Sequence, residues 1–144
     1  MNRKPNIVLI ITDQQRYDAL GAGERDFVLT PNLDQLCRDG TRFTHAFASG
    51  ATCVASRAAL FTGMNPNNTG VYSFDQWCHH PTWIETLRDG GYYCASIGKM
   101  HCMPIYDECG FHERKVVENK TQRFRERGLP EDTWGEFLEA HGVR

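Results

Sequence analysis

The run Asn6-Ile7-Val8-Leu9-Ile10-Ile11-Thr12 constrains this chain more than any other stretch. It is β-branched, almost continuously apolar and closed by Asp13, a pattern that predicts a strand covered on both faces. Such a strand needs helices above and below it, so the expected class is α/β. Asp13 then falls at the strand's C-terminal end, the edge where open α/β sheets gather their ligands. The same run is too short for a signal-peptide core and leads into polar Thr12-Asp13-Gln14-Gln15 without a small-residue cleavage site. No stretch approaches the roughly 20 apolar residues of a membrane span. The expectation is a soluble, cytoplasmic protein with no membrane partner.

Further along, helix and strand signals alternate. Thr30-Pro31 predicts a helix start, with Thr as cap and Pro at the first position, and Leu33, Leu36 and Cys37 sharing a face before Gly40. Arg42 to Ala48 alternates like a strand. The small-residue loop Ser49-Gly50-Ala51-Thr52 leads to Cys53 and an Ala/Leu-rich helix around Arg57 to Thr62, ended by Gly63 and Pro66. A further helix is predicted from Pro81 to Asp89, a strand from Tyr92 to Ile97, and a short helix from Asp132 to Ala140, after a basic segment from Lys120 to Arg127. Asp13, the Cys53 loop, and Lys99 with His101 thus fall at three strand ends, the layout of one site on one sheet edge.

With 40% hydrophobic and 24% charged residues the 144-residue chain has the composition of a globular domain. Its formal charge of −2 gives no electrostatic reason to expect a nucleic-acid partner. The cysteines at 37, 53, 78, 94, 102 and 109 include no CxxC pair, and Cys78-His79-His80 with His101-Cys102 matches no zinc-module spacing. Most of these thiols are expected to be reduced and to serve as small core hydrophobes.

One of them reads differently in context. Cys53-Val54-Ala55-Ser56-Arg57-Ala58-Ala59-Leu60-Phe61-Thr62-Gly63 resembles the sulfatase signature, Cys-x-Pro-Ser-Arg followed by a small-residue helix and Thr-Gly. Pro5-Asn6-Ile7 through Thr12-Asp13, Thr30-Pro31-Asn32-Leu33-Asp34, Gly40-Thr41-Arg42-Phe43-Thr44 and Gly98-Lys99-Met100-His101 resemble further blocks of that family, in its order, over roughly residues 5 to 115. Each block alone is weak; together they are specific. The resemblance implies the N-terminal portion of an alkaline-phosphatase-like mixed sheet flanked by helices, residues 1–144 being an incomplete part of the catalytic domain.

It also implies a chemistry. In sulfatases the signature cysteine is oxidised to formylglycine by a maturation enzyme, and the hydrated aldehyde offers one hydroxyl to attack sulfur and a second to expel sulfate, which a thiol cannot do. A divalent cation activates it, Ca²⁺ being expected here ahead of Mg²⁺ or Mn²⁺. By resemblance the catalytic residues are Cys53, Arg57, Lys99 and His101, with Asp13, Gln14 and the Cys53-derived hydrate as metal ligands. Lys99 would neutralise sulfate oxygens and His101 bind or protonate near the leaving group. Arg57 lies one helical turn from Cys53 on the same face, within reach of oxygens bound there. Taken singly, such a cysteine is more often buried structure, such an arginine solvated, and such a histidine a satisfied structural one.

Two positions depart from the pattern. Many arylsulfatases have a second Asp where this chain has Gln14, whereas choline-sulfatase-like and phosphonate-monoester-hydrolase-like members share the Asp-Gln; Ala55 stands where the signature usually has Pro. No Asp-His or Asp-Asn pair follows Lys99 to complete a metal site. The expected partner is therefore a missing C-terminal segment of the same enzyme, whether the chain is a segment, a truncated product or one piece of an assembly. The expected substrate is a small sulfate ester; the alternatives are a phosphonate monoester or phosphodiester, or no turnover at all in a non-catalytic remnant.

Overall fold

The computed structural model describes residues 4–23, 27–73, 76, 80–105, 107–118 and 132–143. The chain divides into two compact units, Met1–Ala46 and Phe47–Arg144. The basic segment 120–127, Cys78 and His79 lie outside the described residues.

The second unit is α/β. Helix α2, Cys53–Thr62, begins four residues earlier than the Ala/Leu run suggests because the Thr52 side chain accepts from the Ala55 N–H; it ends at Gly63, whose φ of 72° is left-handed and whose N–H reaches the Ala59 carbonyl. One turn, α3 (Pro66–Thr69), follows. Helix α4, Trp83–Asp89, is opened by a capping box in which Thr82 and Glu85 satisfy each other's backbone N–H groups, leaving Pro81 outside. Strand β1, Ala95–Gly98, pairs in parallel with β2, Glu113–Val116, in register Ala95↔Glu113 to Gly98↔Val116. Helix α5, Thr133–Ala140, is capped by Asp132.

The core of this unit is Phe61, Ile84, Cys94, Met100, Cys102, Cys109 and Phe111, with Trp83, Leu87 and Tyr92 packed against it. Phe61 meets Phe111 edge-on, ring centroids 6.2 Å apart. The Trp83 indole N–H donates to the Leu60 carbonyl at 2.9 Å and so ties α4 to α2. Cys94, Cys102 and Cys109 are thus the core hydrophobes expected of them, and the described cysteines are free thiols. Cys109 donates to the Cys102 sulfur at 2.7 Å; that bond, then burial, push the Cys109 thiol far above its ordinary range.

In the first unit, α1 spans Pro31–Asp39 as expected, with Pro at its start and Gly40 at its end. Thr30 does not cap it with its side chain. Its hydroxyl donates instead to Asp34 Oδ1 and accepts from the Gly21 N–H, both at 2.8 Å.

Two expected strands are absent. Residues 6–12 form no ladder, and Val8 and Ile10 are 82% and 81% exposed. A strand meant to be covered on both faces must also have its N–H and C=O groups paired from both sides, and no described residue pairs with this one. Residues 42–48 likewise form no strand, leaving Phe43 and Phe47 exposed. The strand expected from Tyr92 starts only at Ala95. Strand β2 carries Glu-Arg-Lys-Val, too charged to show an apolar alternation. No described helix is long and apolar enough to cross a membrane.

Candidate functional site

Cys53 is the first residue of α2 and is half-buried. The loop before it is pinned from two directions. The Thr52 hydroxyl, besides capping α2, donates to the Tyr72 carbonyl at 3.1 Å. Gly50 lies so close to the helix that a Cβ there would stand 2.7 Å from the Ser56 nitrogen and 2.8 Å from Ala55. Val54, Ala55 and Ala58 are buried, so the first turn of α2 is packed while its leading residue stays accessible. Between this loop and Asn65, Asn67 and Tyr72 lies an open depression of about 400 Å³.

Arg57 is not solvated. It is only 8% exposed, and its guanidinium donates to the Lys99 carbonyl at 2.7 Å. That bond joins the helix of Cys53 to the turn after β1, where Lys99 is half-buried and His101 is 5% exposed. The turn is conformationally unusual, since His101 has a φ of 58°, a left-handed value that residues other than Gly seldom adopt. Gln14, with a φ of 53°, shares this property. Non-Gly residues held in this region cluster at functional sites, and two of the three described here are residues singled out by the sequence pattern.

The turn is held by a residue that sequence reasoning did not single out. Glu118, 3% exposed, accepts the N–H groups of Met100 at 3.0 Å and His101 at 2.6 Å through Oε1, while its Oε2 lies 3.3 Å from His101 Nε2. Burial raises the Glu118 carboxyl above its ordinary value, opposed by those two N–H groups and by the positive charges of Arg114 and Arg57. Glu118 is itself seated by Asp132, which is fully buried and accepts the Glu118 N–H at 2.5 Å and the Gly135 N–H at 2.7 Å. The signal that could have found Glu118 is the one that found Asp13, an acid directly after an apolar run, here Val116-Val117.

Arg57, Lys99 and His101 are therefore brought together, with Cys53 one helical turn before Arg57. Asp13 and Gln14 belong to the first unit. Among the described residues no three His, Cys, Asp or Glu converge so as to hold a metal ion, so the described donors do not complete a cation site.

The sulfatase family model matches residues 5–136. The chain belongs to the sulfatase family. It is 40% identical over 112 residues to an arylsulfatase of Clostridium perfringens (strain 13 / Type A), a match covering 76% of the chain and 23% of that protein. To a choline-sulfatase of Rhizobium meliloti (strain 1021) it is 35% identical over 117 residues, 80% of the chain and 23% of that protein. Among solved structures it resembles the phosphonate monoester hydrolase of Agrobacterium radiobacter with a TM-score of 0.70 and 30% identity, covering 88% of the chain and 29% of that hydrolase. The α/β fold expected from sequence is thus that of the alkaline-phosphatase-like hydrolases, and the chain spans about a quarter of the length of the curated relatives named here. The family match runs through both units and takes in Asp13, Cys53, Arg57, Lys99 and His101.

Proposed function

We propose that the chain is the nucleophile-bearing N-terminal portion of a sulfate-ester hydrolase, the rest of whose catalytic domain lies outside these 144 residues. The observation that carries this reading is the Arg57 bond to the Lys99 carbonyl, which fixes the helix headed by Cys53 against the turn bearing Lys99 and His101. Cys53, oxidised by a formylglycine-generating partner, would supply a hydrated aldehyde as nucleophile.

The remaining roles belong to the side chains as they stand. Lys99 neutralises anionic ester oxygens, and the first turn of α2 adds its positive backbone end. His101 holds or delivers a proton at the leaving-group oxygen. Arg57 acts mainly as a tether, because its 2.7 Å partner is the Lys99 carbonyl; its remaining N–H groups extend the positive field. Asp13 and Gln14 offer hard oxygen donors suited to Ca²⁺, or to Mg²⁺ or Mn²⁺, with further ligands supplied from outside the chain. The substrate in this reading is a small sulfate ester.

A phosphonate monoester is the second reading, favoured by the resemblance to the Agrobacterium hydrolase and by Gln14 after Asp13. Both substrates are singly charged anions, so the residues above serve either. The test is the complete protein co-expressed with a formylglycine-generating enzyme and assayed with an aryl sulfate and an aryl phosphonate monoester. Peptide mass spectrometry should show the Cys53 sulfur replaced by an aldehyde. Cys53→Ala should reduce turnover to the uncatalysed rate, and turnover retained in that variant would overturn the assignment. The faster of the two substrates decides between the readings.

A further inference from the structure

Lys99 and His101 sit on a turn whose backbone is held, and whose imidazole is faced, by one and the same carboxylate. The two oxygens of Glu118 divide the work: Oε1 takes the Met100 and His101 N–H groups, and Oε2 faces His101 Nε2 at 3.3 Å. Both side chains are almost wholly enclosed, at 4% and 3% exposure, so water screens this contact little. The left-handed backbone of His101 needs an anchor, and a charged acceptor shared by two successive N–H groups supplies one. The anchor is rigid in turn, because Glu118 lies two residues after the end of β2 and its own N–H is held by buried Asp132 at the start of α5.

We propose that Glu118 is a positioning residue of this site, fixing the turn that presents Lys99 through Oε1 and favouring the charged form of His101 through Oε2. The inference rests on the reading of His101 as the group acting on the leaving-group oxygen. Oε2 acts on the ring by charge, because Nε2 at 3.3 Å lies within ion-pair range without forming a hydrogen bond to it. A carboxylate there favours the imidazolium, so a proton can be held until the leaving group takes it. The other charged groups around the carboxylate are Arg57 from α2 and Arg114 from β2, both of which favour its ionised form, and Asp132, which is occupied with backbone N–H groups.

The test begins with ring-labelled NMR of the chain. Glu118→Gln keeps an oxygen for the two backbone N–H groups and removes the charge, so the Met100 and His101 amides should stay in place while the ring titration midpoint falls by about one pH unit. An unchanged midpoint would overturn the proposal. If Glu118→Gln fails to fold, wild type alone decides: the Glu118 side-chain carbon and the His101 ring nitrogens should titrate as a coupled pair, and independent titration overturns the assignment.

In the complete protein, Glu118→Gln should lower kcat about a hundredfold. KM should stay within about twofold, and Glu118→Asp should restore the ring midpoint and part of kcat. Wild-type kcat in a Glu118→Gln variant whose ring has shifted would overturn the catalytic part. A wild-type protein that turns over neither sulfate nor phosphonate esters would remove the proposed function, while the coupling of Glu118 to His101 would still stand or fall by the NMR titration.

Discussion

The two units of the chain are held by different forces. Every buried apolar side chain among the described residues belongs to the second, from Val54 to Val116, whereas the first has none and exposes Ile7 to Ile11, Leu29, Phe43 and others. What orders the first unit is polar. Asp34 Oδ1 accepts from Thr30 and from the Ala22 N–H, Arg42 donates to the Ala22 carbonyl, and Arg16 pairs with Asp18 at 2.7 Å near the surface. Such bonds add about 1 kcal/mol each, exposed ion pairs less, while burying one large apolar side chain adds about 1.5–3 kcal/mol. The difference shows that local polar geometry can be specified in a segment that has no core. The turn of Lys99 and His101 is built on a core, while Asp13 and Gln14 stand in the unit without one.

The largest test of that contrast is a pair of truncations. Phe61→Ala should cost about 3–5 kcal/mol, since the ring packs in the centre of the second unit's core. Leu29→Ala, at a side chain 93% exposed, should stay within about 0.5 kcal/mol. Urea unfolding followed by tryptophan fluorescence reads the first and amide exchange in the first unit reads the second, the three tryptophans all lying beyond Ala46; equal losses would dissolve the contrast.

Two aspartates sharpen it. Asp132 accepts two backbone N–H groups and Asp34 accepts one, and Asp132 is fully buried whereas Asp34 is only half-buried. Asp132→Ala should cost about 2–3 kcal/mol by stranding two enclosed donors, and Asp34→Ala about 1 kcal/mol. Urea unfolding gives the first figure and amide exchange at Ala22 the second. A larger effect at Asp34 would mean that burial is not what separates the units.

The smallest expected effect is one of pH. Glu118 has its folded-state carboxyl value raised above 4.5, so the folded chain holds a proton that the unfolded chain has released. That contribution is fully present below the unfolded value and is lost as pH rises through the folded one. Wild type should therefore lose stability over this window relative to Glu118→Gln, measured as the difference between their urea midpoints, and parallel curves would refute the shift.

Much of the fold was readable where the signal is local. Thr82 with Glu85, Asp132 before Thr133, and Gly63 after Thr62 mark helix ends through contacts within a few residues, and these helices end where the sequence puts them, though α2 starts four residues earlier and α4 two residues later than expected. What was not readable depends on partners far along the chain. Residues 6–12 have strand chemistry, yet pairing needs neighbours that the run cannot specify; β2 looks like a surface segment because its pairing with β1 leaves Glu113 and Lys115 in solvent. The site divides the same way. The ordered motif blocks pointed to the family, as the match over residues 5–136 bears out, and they put forward Cys53, Arg57, Lys99 and His101 as its site. Glu118 was hidden because its role is defined by contacts 17 and 18 residues back. The burial of Arg57 was hidden because an arginine one turn from Cys53 reads the same whether it reaches solvent or the Lys99 carbonyl 42 residues on.

The closeness of Gly50 to α2 sets how far this part of the chain can drift. A methyl group at position 50 would meet backbone, the Ser56 nitrogen at 2.7 Å, and backbone cannot swing aside as a long side chain can. Even Gly50→Ala must be absorbed by displacing the start of α2, and Cys53 is the residue that would move first. Position 50 is therefore closed to the gradual side-chain exchange that loops usually tolerate. A descendant of this sequence that lost Gly50 would have to re-aim Cys53 in the same step.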